Sequence, residues 1–178
     1  LPVTTGAFQI QFGGGLPEEL GYGGDRDIAL LKYNQSGSKL VFCTYLGGSD
    51  NEQPHSMVVD SLNNLYVMAT TKSSDFPVTV GSYDVTWNGS YDFTITKISW
   101  AGTKILAGTY VGGSGQDGVG ADRSVTPVDD FPLLYNYADE FRGEIITDNK
   151  TIFVCGVTYS DDFPQTVGSR IRTVEEDG

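Results

Sequence analysis

The sequence has little cysteine, methionine and histidine, and it carries few basic residues. Its 178 residues include two Cys, two Met and one His, with 11 Lys and Arg against 23 Asp and Glu, a formal net charge of −12. A surface of this charge repels a phosphate backbone, so we expect no nucleic-acid partner. No apolar run reaches the length of a membrane helix, so we also expect no membrane insertion.

The scarce reactive residues argue against catalysis. Cys43 and Cys155 each lie inside an apolar, strand-like run, which predicts buried free thiols rather than a disulfide. His55 has no identifiable partners for a metal cluster or a triad, and we expect it in an exposed loop. Neither a Gly-x-Ser-x-Gly turn nor a phosphate loop with its Lys is present. We therefore predict no catalytic residues and no enzyme activity.

An internal repeat organises what is present. The chain is rich in Gly (23 residues) and in Tyr and Phe, which is typical of short strands joined by tight turns. Residues 27–53 align without gaps on 92–118 at an offset of 65, and 57–81 align on 144–168 at an offset of 87. The second copy therefore holds about 22 extra residues, near 119–143.

A short element, Pro-x-Thr-x-Gly, closes each copy. It occurs at 2–6, 77–81 and 164–168, so we interpret residues 1–8 as the tail of a preceding copy. Repeats of this kind define the architecture of a chain before any single motif does.

Each copy predicts four short strands. The apolar runs are dense rather than alternating, as in strands covered on both faces, and no helical periodicity is sustained. The predicted strands are 27–33, 40–46, 56–60 and 64–71 in the first copy, and 92–98, 104–111, 143–147 and 151–158 in the second. Four-stranded antiparallel units of about 50 residues favour stacked β-propeller blades over a parallel solenoid.

The repeated motifs resemble the SBBP repeat, a seven-bladed β-propeller family of bacterial proteins. The resemblance rests on TYLGGS at 44–49, TYVGGS at 109–114 and SDFP at 74–77, and it covers most of 27–84 and 92–169. The family implies exported or surface proteins, common in Bacteroidetes, where large versions often leave through the type IX secretion system. It also implies an extracellular or outer-membrane location, and it supplies no catalytic residues.

The expected domain organisation follows the repeat. We assign 1–26 to the tail of a preceding repeat plus a Gly-rich insertion, 27–84 to blade 1, 85–169 to blade 2 with its insertion near 119–143, and 170–178 to a following segment or disordered tail. About two complete blades cannot close a ring, and open blades leave edges and apolar faces exposed. We therefore expect part of a larger propeller, completed by other blades of a parent chain or by protein partners.

The insertion is the best candidate for a specific role. It places four aromatic residues between carboxylates: Phe131, Tyr135, Tyr137 and Phe141. Long loops on a rigid scaffold commonly carry function, and aromatics beside carboxylates suit a sugar or a protein groove. A loop that covers an open blade end is the other interpretation.

The acidic loops of the sequence suggest calcium as a cofactor. The oxygen donors would be Asp25 and Asp27, Asp129 and Asp130, or Asp139 and Glu140. None of these groups has the alternating spacing and Gly of an EF-hand loop, so solvated acidic loops are the alternative.

These observations favour a non-catalytic structural or interaction module that presents loops for protein binding. The alternative function is a carbohydrate-binding adhesin that uses the aromatic insertion at 131–141. A hydrolase with its site at a propeller mouth is least favoured, because two blades cannot complete such a site.

Overall fold

The computed structural model describes residues 1–14, 26–118 and 144–169. These residues contain strands and turns but no helix, which confirms the all-β class. The strands are β1 (Ile28–Tyr33), β2 (Leu40–Leu46), β3 (Glu52–Val59), β4 (Leu65–Thr71), β5 (Asp92–Ile98), β6 (Ile105–Val111), β7 (Glu144–Thr147) and β8 (Ile152–Cys155). A search of the same residues for a helix long and apolar enough to cross a membrane found none.

One four-stranded sheet lies between two smaller ones. Strands β3, β4, β5 and β6 pair antiparallel in that order, whereas β1–β2 and β7–β8 are separate antiparallel pairs. The central ladder is long, with Leu65 opposite Ile98 at one end and Thr71 opposite Asp92 at the other. The strand number and order are those expected of one blade.

The sheet is half a repeat out of phase with the sequence copies. Its strands β3 and β4 come from the first copy, and β5 and β6 come from the second. Each copy therefore supplies two of the four strands of this sheet. The described residues form one complete blade, the second half of a preceding blade (β1–β2) and the first half of a following one (β7–β8).

The reason lies in the two kinds of connection. Residues 47–51, which resemble a tight turn, carry the chain from one sheet to the next instead of closing a hairpin. The long loop 72–91 returns the chain to the same sheet, so that β5 lies beside β4. The predicted boundary between residues 84 and 85 falls inside that loop. As a boundary between copies of the repeat, it stays a prediction.

Both faces of the central sheet are covered, as the dense apolar runs predicted. Side chains alternate along a strand, so Val67 and Ala69 face one neighbouring layer while Tyr66 and Met68 face the other. The first layer packs on β1–β2, in a core of Ile28, Leu30, Phe42, Leu46, Val67, Ala69, Phe76, Ile98 and Tyr110. The second packs Tyr66, Met68 and Phe93 against Ile145 of β7.

The Pro-x-Thr-x-Gly element pairs with the outer strand of a blade. The backbone N–H of Thr79 donates to the Gly108 carbonyl at 2.9 Å, and the N–H of Gly108 donates to Thr79 Oγ1 at 3.1 Å. Thr4 makes the same two hydrogen bonds with Cys43, each at 3.0 Å. These bonds occupy an edge that would otherwise offer unpaired backbone groups.

Two of the scarce residues lie elsewhere than expected. Both thiols are free, and Cys43 is buried as predicted, but Cys155 is exposed because it ends the edge strand β8. His55 lies in β3 rather than in an exposed loop, because that strand begins at Glu52 and includes it. Its Nε2 atom lies 3.2 Å from Thr70 Oγ1.

Tyr110 tests the buried hydrogen bond that joins β6 to the loop after β4. Its fully buried hydroxyl donates to the Ser73 carbonyl at 2.8 Å. We expect Tyr110→Phe to lower the free energy of unfolding by about 1–2 kcal/mol, because the carbonyl loses its buried donor. Tyr45, the equivalent residue of β2, is half-buried, and Tyr45→Phe should change it by less than about 0.5 kcal/mol. Urea denaturation of both variants measures this, and equal effects would contradict it.

Candidate functional site

Two buried carboxylate pairs lie where the chain crosses from one sheet to the next. We call Asp27 with Glu52 junction A, and Asp92 with Asp117 junction B. The two are related by the offset of 65, so the repeat builds the same arrangement twice. Glu52 is 2% exposed and both acids of junction B are 0% exposed, whereas Asp27 is half-buried.

In junction A, Glu52 holds the crossing turn to strand β4. Its Oε2 accepts a hydrogen bond from the N–H of Gly48 at 3.2 Å. Its Oε1 accepts from the hydroxyls of Thr71 and Ser73, each at 2.6 Å. Hydrogen bonds to an ionised oxygen are stronger than neutral ones, so this one side chain fastens the turn to the next layer.

Junction B reproduces the arrangement with a shorter acid. Asp117 Oδ2 accepts from the N–H of Gly113 at 2.7 Å and from the Ser160 hydroxyl at 2.8 Å. Asp92 Oδ2 accepts from the backbone N–H of Asn88 at 2.7 Å. The other oxygen of each acid, Asp92 Oδ1 and Asp117 Oδ1, is buried without a hydrogen-bond partner.

A third carboxylate links the two repeated motifs. Ser49 donates to Asp75 Oδ1 through its N–H at 2.8 Å and through its hydroxyl at 2.9 Å. Ser114 does the same to Asp162 Oδ1, at 2.8 and 3.1 Å. The Gly-Gly-Ser and Ser/Asp-Asp-Phe-Pro motifs therefore recur together because they bind each other across the junction.

The two acids of each pair approach each other at a glycine. A Cβ atom added to Gly112 would lie 2.3 Å from Asp92 Oδ1 and 3.0 Å from Asp117 Oδ2. The same atom on Gly47 would meet Glu52 Oε2 and the carboxyl of Asp27. Any side chain at these positions would displace the carboxylates, so the first Gly of the motif is required by the close approach.

Each junction raises the pKa of one deeply buried acid, Glu52 in junction A and Asp92 in junction B. Burial raises the pKa of Glu52 to about 7 against the hydrogen bonds from Ser73 and Thr71, and the charge of Asp27 adds to the effect. Burial likewise raises the pKa of Asp92 to about 6, and the charge of Asp117 adds to it. Two buried carboxylates that share a site resist ionising together, so each junction favours retaining a proton.

The chemistry available to such a pair is structural. Asp92 and Asp117 have no exposed surface, so no substrate reaches their oxygens in this arrangement. Over 1–14, 26–118 and 144–169, no group of three Asp, Glu, His or Cys side chains lies close enough to hold a metal ion. The pairs bind the crossing turns, and the raised pKa values of Glu52 and Asp92 predict that the stability they contribute depends on pH.

The site residues predicted in the insertion lie outside the described residues. This holds for the aromatic set Phe131, Tyr135, Tyr137 and Phe141 and for the acidic set Asp129, Asp130 and Asp139, which stay predictions. Of the other acidic candidates, Asp27 lies in junction A, while Asp25 is outside the described ranges. The sequence reasoning missed Glu52, Asp92 and Asp117.

A signal for these acids was present in the alignment. Asp27 and Asp92 are identical at the start of each copy, and an acid follows the first Gly of Gly-Gly-Ser by five residues in both copies. The substitution of Asp for Glu at that position hides the second match from a search for identical residues.

Asp92→Asn tests whether junction B holds a proton. The amide oxygen can accept the hydrogen bond from Asn88, and its NH₂ replaces the unpartnered oxygen near Asp117, as a protonated Asp92 would. A raised pKa in the folded state means that folding binds protons between about pH 4 and 6, so stability is lost as pH rises through that window. We expect the variant to be more stable than the wild type at pH 8 by about 1 kcal/mol.

The measurement is urea denaturation at pH 5, 6, 7 and 8. The loss of stability from pH 5 to 8 should be smaller in Asp92→Asn than in the wild type, and Asp161→Asn, which removes an exposed carboxylate, should leave it unchanged. The pKa of Asp60 is shifted in the opposite direction: hydrogen bonds from Asn64 and the ion pair with Lys97 outweigh burial and lower it to about 2. Its effect on the free energy of unfolding therefore falls below pH 5, outside the measured range. A lower stability of Asp92→Asn at pH 8 would contradict the shared proton.

Comparison with known proteins bears on the same segment. Residues 41–77 match the SBBP family, described as a beta-propeller repeat, and the match runs from β2 through the crossing turn, β3 and β4. Searches of curated proteins and of solved structures returned no match. This segment is therefore similar to an SBBP β-propeller repeat, and the described residues around it have the all-β architecture of partial propeller blades.

Proposed function

We propose that this chain is a non-catalytic structural and interaction module of a secreted or surface-exposed bacterial β-propeller protein. In this role the blades form a rigid scaffold, and loops on it present side chains to a protein partner. No reaction is assigned to it.

The observation that carries the proposal is how the chain uses the side chains that are identical in both copies. Thr109 Oγ1 accepts from the N–H of Asp84 at 2.9 Å and donates to the Asp84 carbonyl at 3.0 Å. Thr44 makes the same pair of bonds with Gln9, at 3.2 and 3.0 Å. With the glycines and serines of the junctions, these residues bind backbone and hold blades together instead of converging on a cavity.

An open apolar groove supports the interaction part of the role. A cavity of about 530 Å³ lies between β1–β2 and β3, lined mainly by Leu31, Phe42, Met57, Val59, Leu65 and Trp100. Trp100, in the turn after β5, is 60% exposed. Met57 corresponds to Glu144 at the offset of 87, and Leu31 corresponds to Thr96 at the offset of 65. The second copy has polar residues at these positions, so the repeat does not require this apolar surface. Exposed apolar side chains on a rigid scaffold favour a protein partner.

Location and partners rest on the resemblance and on charge. The family resemblance supports an exported or outer-membrane location in a bacterium and, as partners, other blades of a parent chain or proteins at the cell surface. The net charge of −12 disfavours nucleic acid as a partner.

The carbohydrate-binding alternative rests on the aromatic and acidic residues of 131–141. It predicts selective binding on a glycan array that Tyr135→Ala and Tyr137→Ala each weaken at least about tenfold, since stacked aromatics carry much of such binding energy. An array without signal, or binding that both variants leave intact, would contradict it.

The structural role predicts that the second Gly of each motif is required for folding. A Cβ atom on Gly48 would lie 2.5 Å from Asp75 Oδ1, and one on Gly113 would lie 2.4 Å from Asp162 Oδ1. We expect Gly48→Ala and Gly113→Ala each to lower the free energy of unfolding by about 2–4 kcal/mol, because the turn must move off its carboxylate.

Gly81→Ala is the matched control. Gly81 has a φ of +81° but nothing within 4 Å of its would-be Cβ, so the same substitution costs only about 1 kcal/mol of backbone strain. Circular dichroism melts of the three variants measure the difference. Junction variants that melt with or above Gly81→Ala would contradict the structural role of the shared motif.

A further inference from the structure

Two strand edges of the described chain have no partner strand among its described residues. Strand β8 pairs only with β7, and β1 pairs only with β2. The two edges are not independent, because the repeat relates each to a strand that is paired. Strand β8 corresponds to β4 at the offset of 87, and β1 corresponds to β5 at the offset of 65.

The observed β4–β5 ladder therefore specifies how β8 and a β1 strand would pair. In that ladder Leu65 lies opposite Ile98, and Val67 lies opposite Thr96. Transferred by the two offsets, the register places Ile152 opposite Tyr33, Phe153 opposite Lys32, Val154 opposite Leu31 and Cys155 opposite Leu30.

We propose that β8 of one copy of this chain pairs antiparallel with β1 of a second copy in this register, so that β7–β8 and the partner's β1–β2 form a complete four-stranded blade across the two chains. The inference rests on the proposed function as a propeller module and specifies its partner, a second copy.

Side-chain exposure supports this partner. Phe153 and Val154 are 54% and 42% exposed, whereas the equivalent Tyr66 and Val67 of β4 are 8% and 2% exposed. On the β1 side Tyr33 is 54% exposed, but its equivalent Ile98 is 0% exposed. The apolar surface left open on β8 and β1 therefore occupies the positions that the paired ladder buries.

The layer beneath the proposed blade is also incomplete. A cavity of about 270 Å³ opens between the central sheet and β7–β8, lined in part by Phe93, Ile95 and Val111. Ile95 and Val111 are half-buried, whereas their equivalents on β1–β2, Leu30 and Leu46, are 6% and 0% exposed in the core shared with the central sheet. A second copy's β1–β2 would cover the cavity in the same way.

One charged contact is also retained. In the observed ladder Lys97 lies over the ring of Tyr66, with Nζ 4.7 Å from the ring centroid. The proposed register places Lys32 opposite Phe153, so the same cation–π pair would form between two chains once Lys32 Nζ leaves the Trp100 carbonyl, to which it donates at 3.0 Å.

The pairing joins chains head to tail, so it adds two blades for each copy. Any ring closed by copies of this chain alone therefore has an even number of blades, and an unclosed assembly continues as a filament. Each copy carries a net charge of −12, so we expect association to strengthen as added salt screens the repulsion.

Disulfide cross-linking tests the register. Chains carrying Cys155→Ser receive a single new cysteine, Tyr33→Cys, Leu31→Cys, Ile152→Cys or Val154→Cys, with the buried Cys43 retained, and are mixed in pairs under mild oxidation. The matched pairs 152 with 33 and 154 with 31 should give disulfide-linked dimers on the order of tenfold more than the shifted pairs 152 with 31 and 154 with 33, because diagonal positions lie too far apart for a bridge. Equal yields in all four mixtures, or no dimer in any, would overturn the proposal.

Light scattering on the wild-type chain gives a second measurement that needs no cysteine. We expect masses that are multiples of 19.2 kDa, reduced to the single-chain mass by Val154→Lys, which places a charge on the β8 edge. Val80→Lys, at a fully exposed loop position, should leave the mass unchanged. A folded wild-type monomer up to about 100 μM in 0.5 M salt would overturn the pairing, and it would leave the structural role tested by Gly48→Ala intact.

Discussion

The fold depends on fastening each crossing turn to the following layer. The Gly-Gly-Ser turn leaves β2 or β6 with backbone N–H groups that no strand can pair, and it carries them into a buried junction. Glu52 and Asp117 accept the N–H of the second glycine, and Asp75 and Asp162 accept that of the serine. Without Glu52 and Asp117 the N–H groups of Gly48 and Gly113 would be unpaired in the interior, which costs more than the loss of an exposed hydrogen bond.

The buried acceptors are carboxylates, so they place acidic groups in the interior of an already acidic protein. Glu52 has the reach to accept two hydroxyls and one N–H, whereas the shorter Asp117 leaves one oxygen unpartnered opposite Asp92. Junction B is therefore the less satisfied of the two, and retaining a proton is the simplest compensation for its second carboxylate. The proposed scaffold role and the predicted pH dependence of stability therefore rest on the same arrangement.

The strands and the two-sided packing could be predicted from the sequence, but the pairing could not. Dense apolar runs such as Leu65–Thr71 and the turn residues at their ends are local signals. Seven of the eight predicted strands therefore begin within two residues of the observed strands. Whether β4 pairs with β1 or with β5 depends on contacts far apart in sequence, and 47–51 reads locally as a hairpin turn. Cys155 was expected to be buried for the same reason, since its run resembles β4 while its neighbour strand is absent from the described residues.

The half-repeat phase shift has a consequence for how copies are held together. Because each blade takes β3–β4 from one copy and β5–β6 from the next, the seven-residue ladder between β4 and β5 is a hydrogen-bonded seam between copies. A copy of the repeat is therefore not a folding unit by itself, since cutting between copies would expose two complementary edges. Stability then comes from nearest-neighbour seams and layer contacts, as in other stacked repeats, and the edges of β1 and β8, which no described strand pairs, correspond to the same seam.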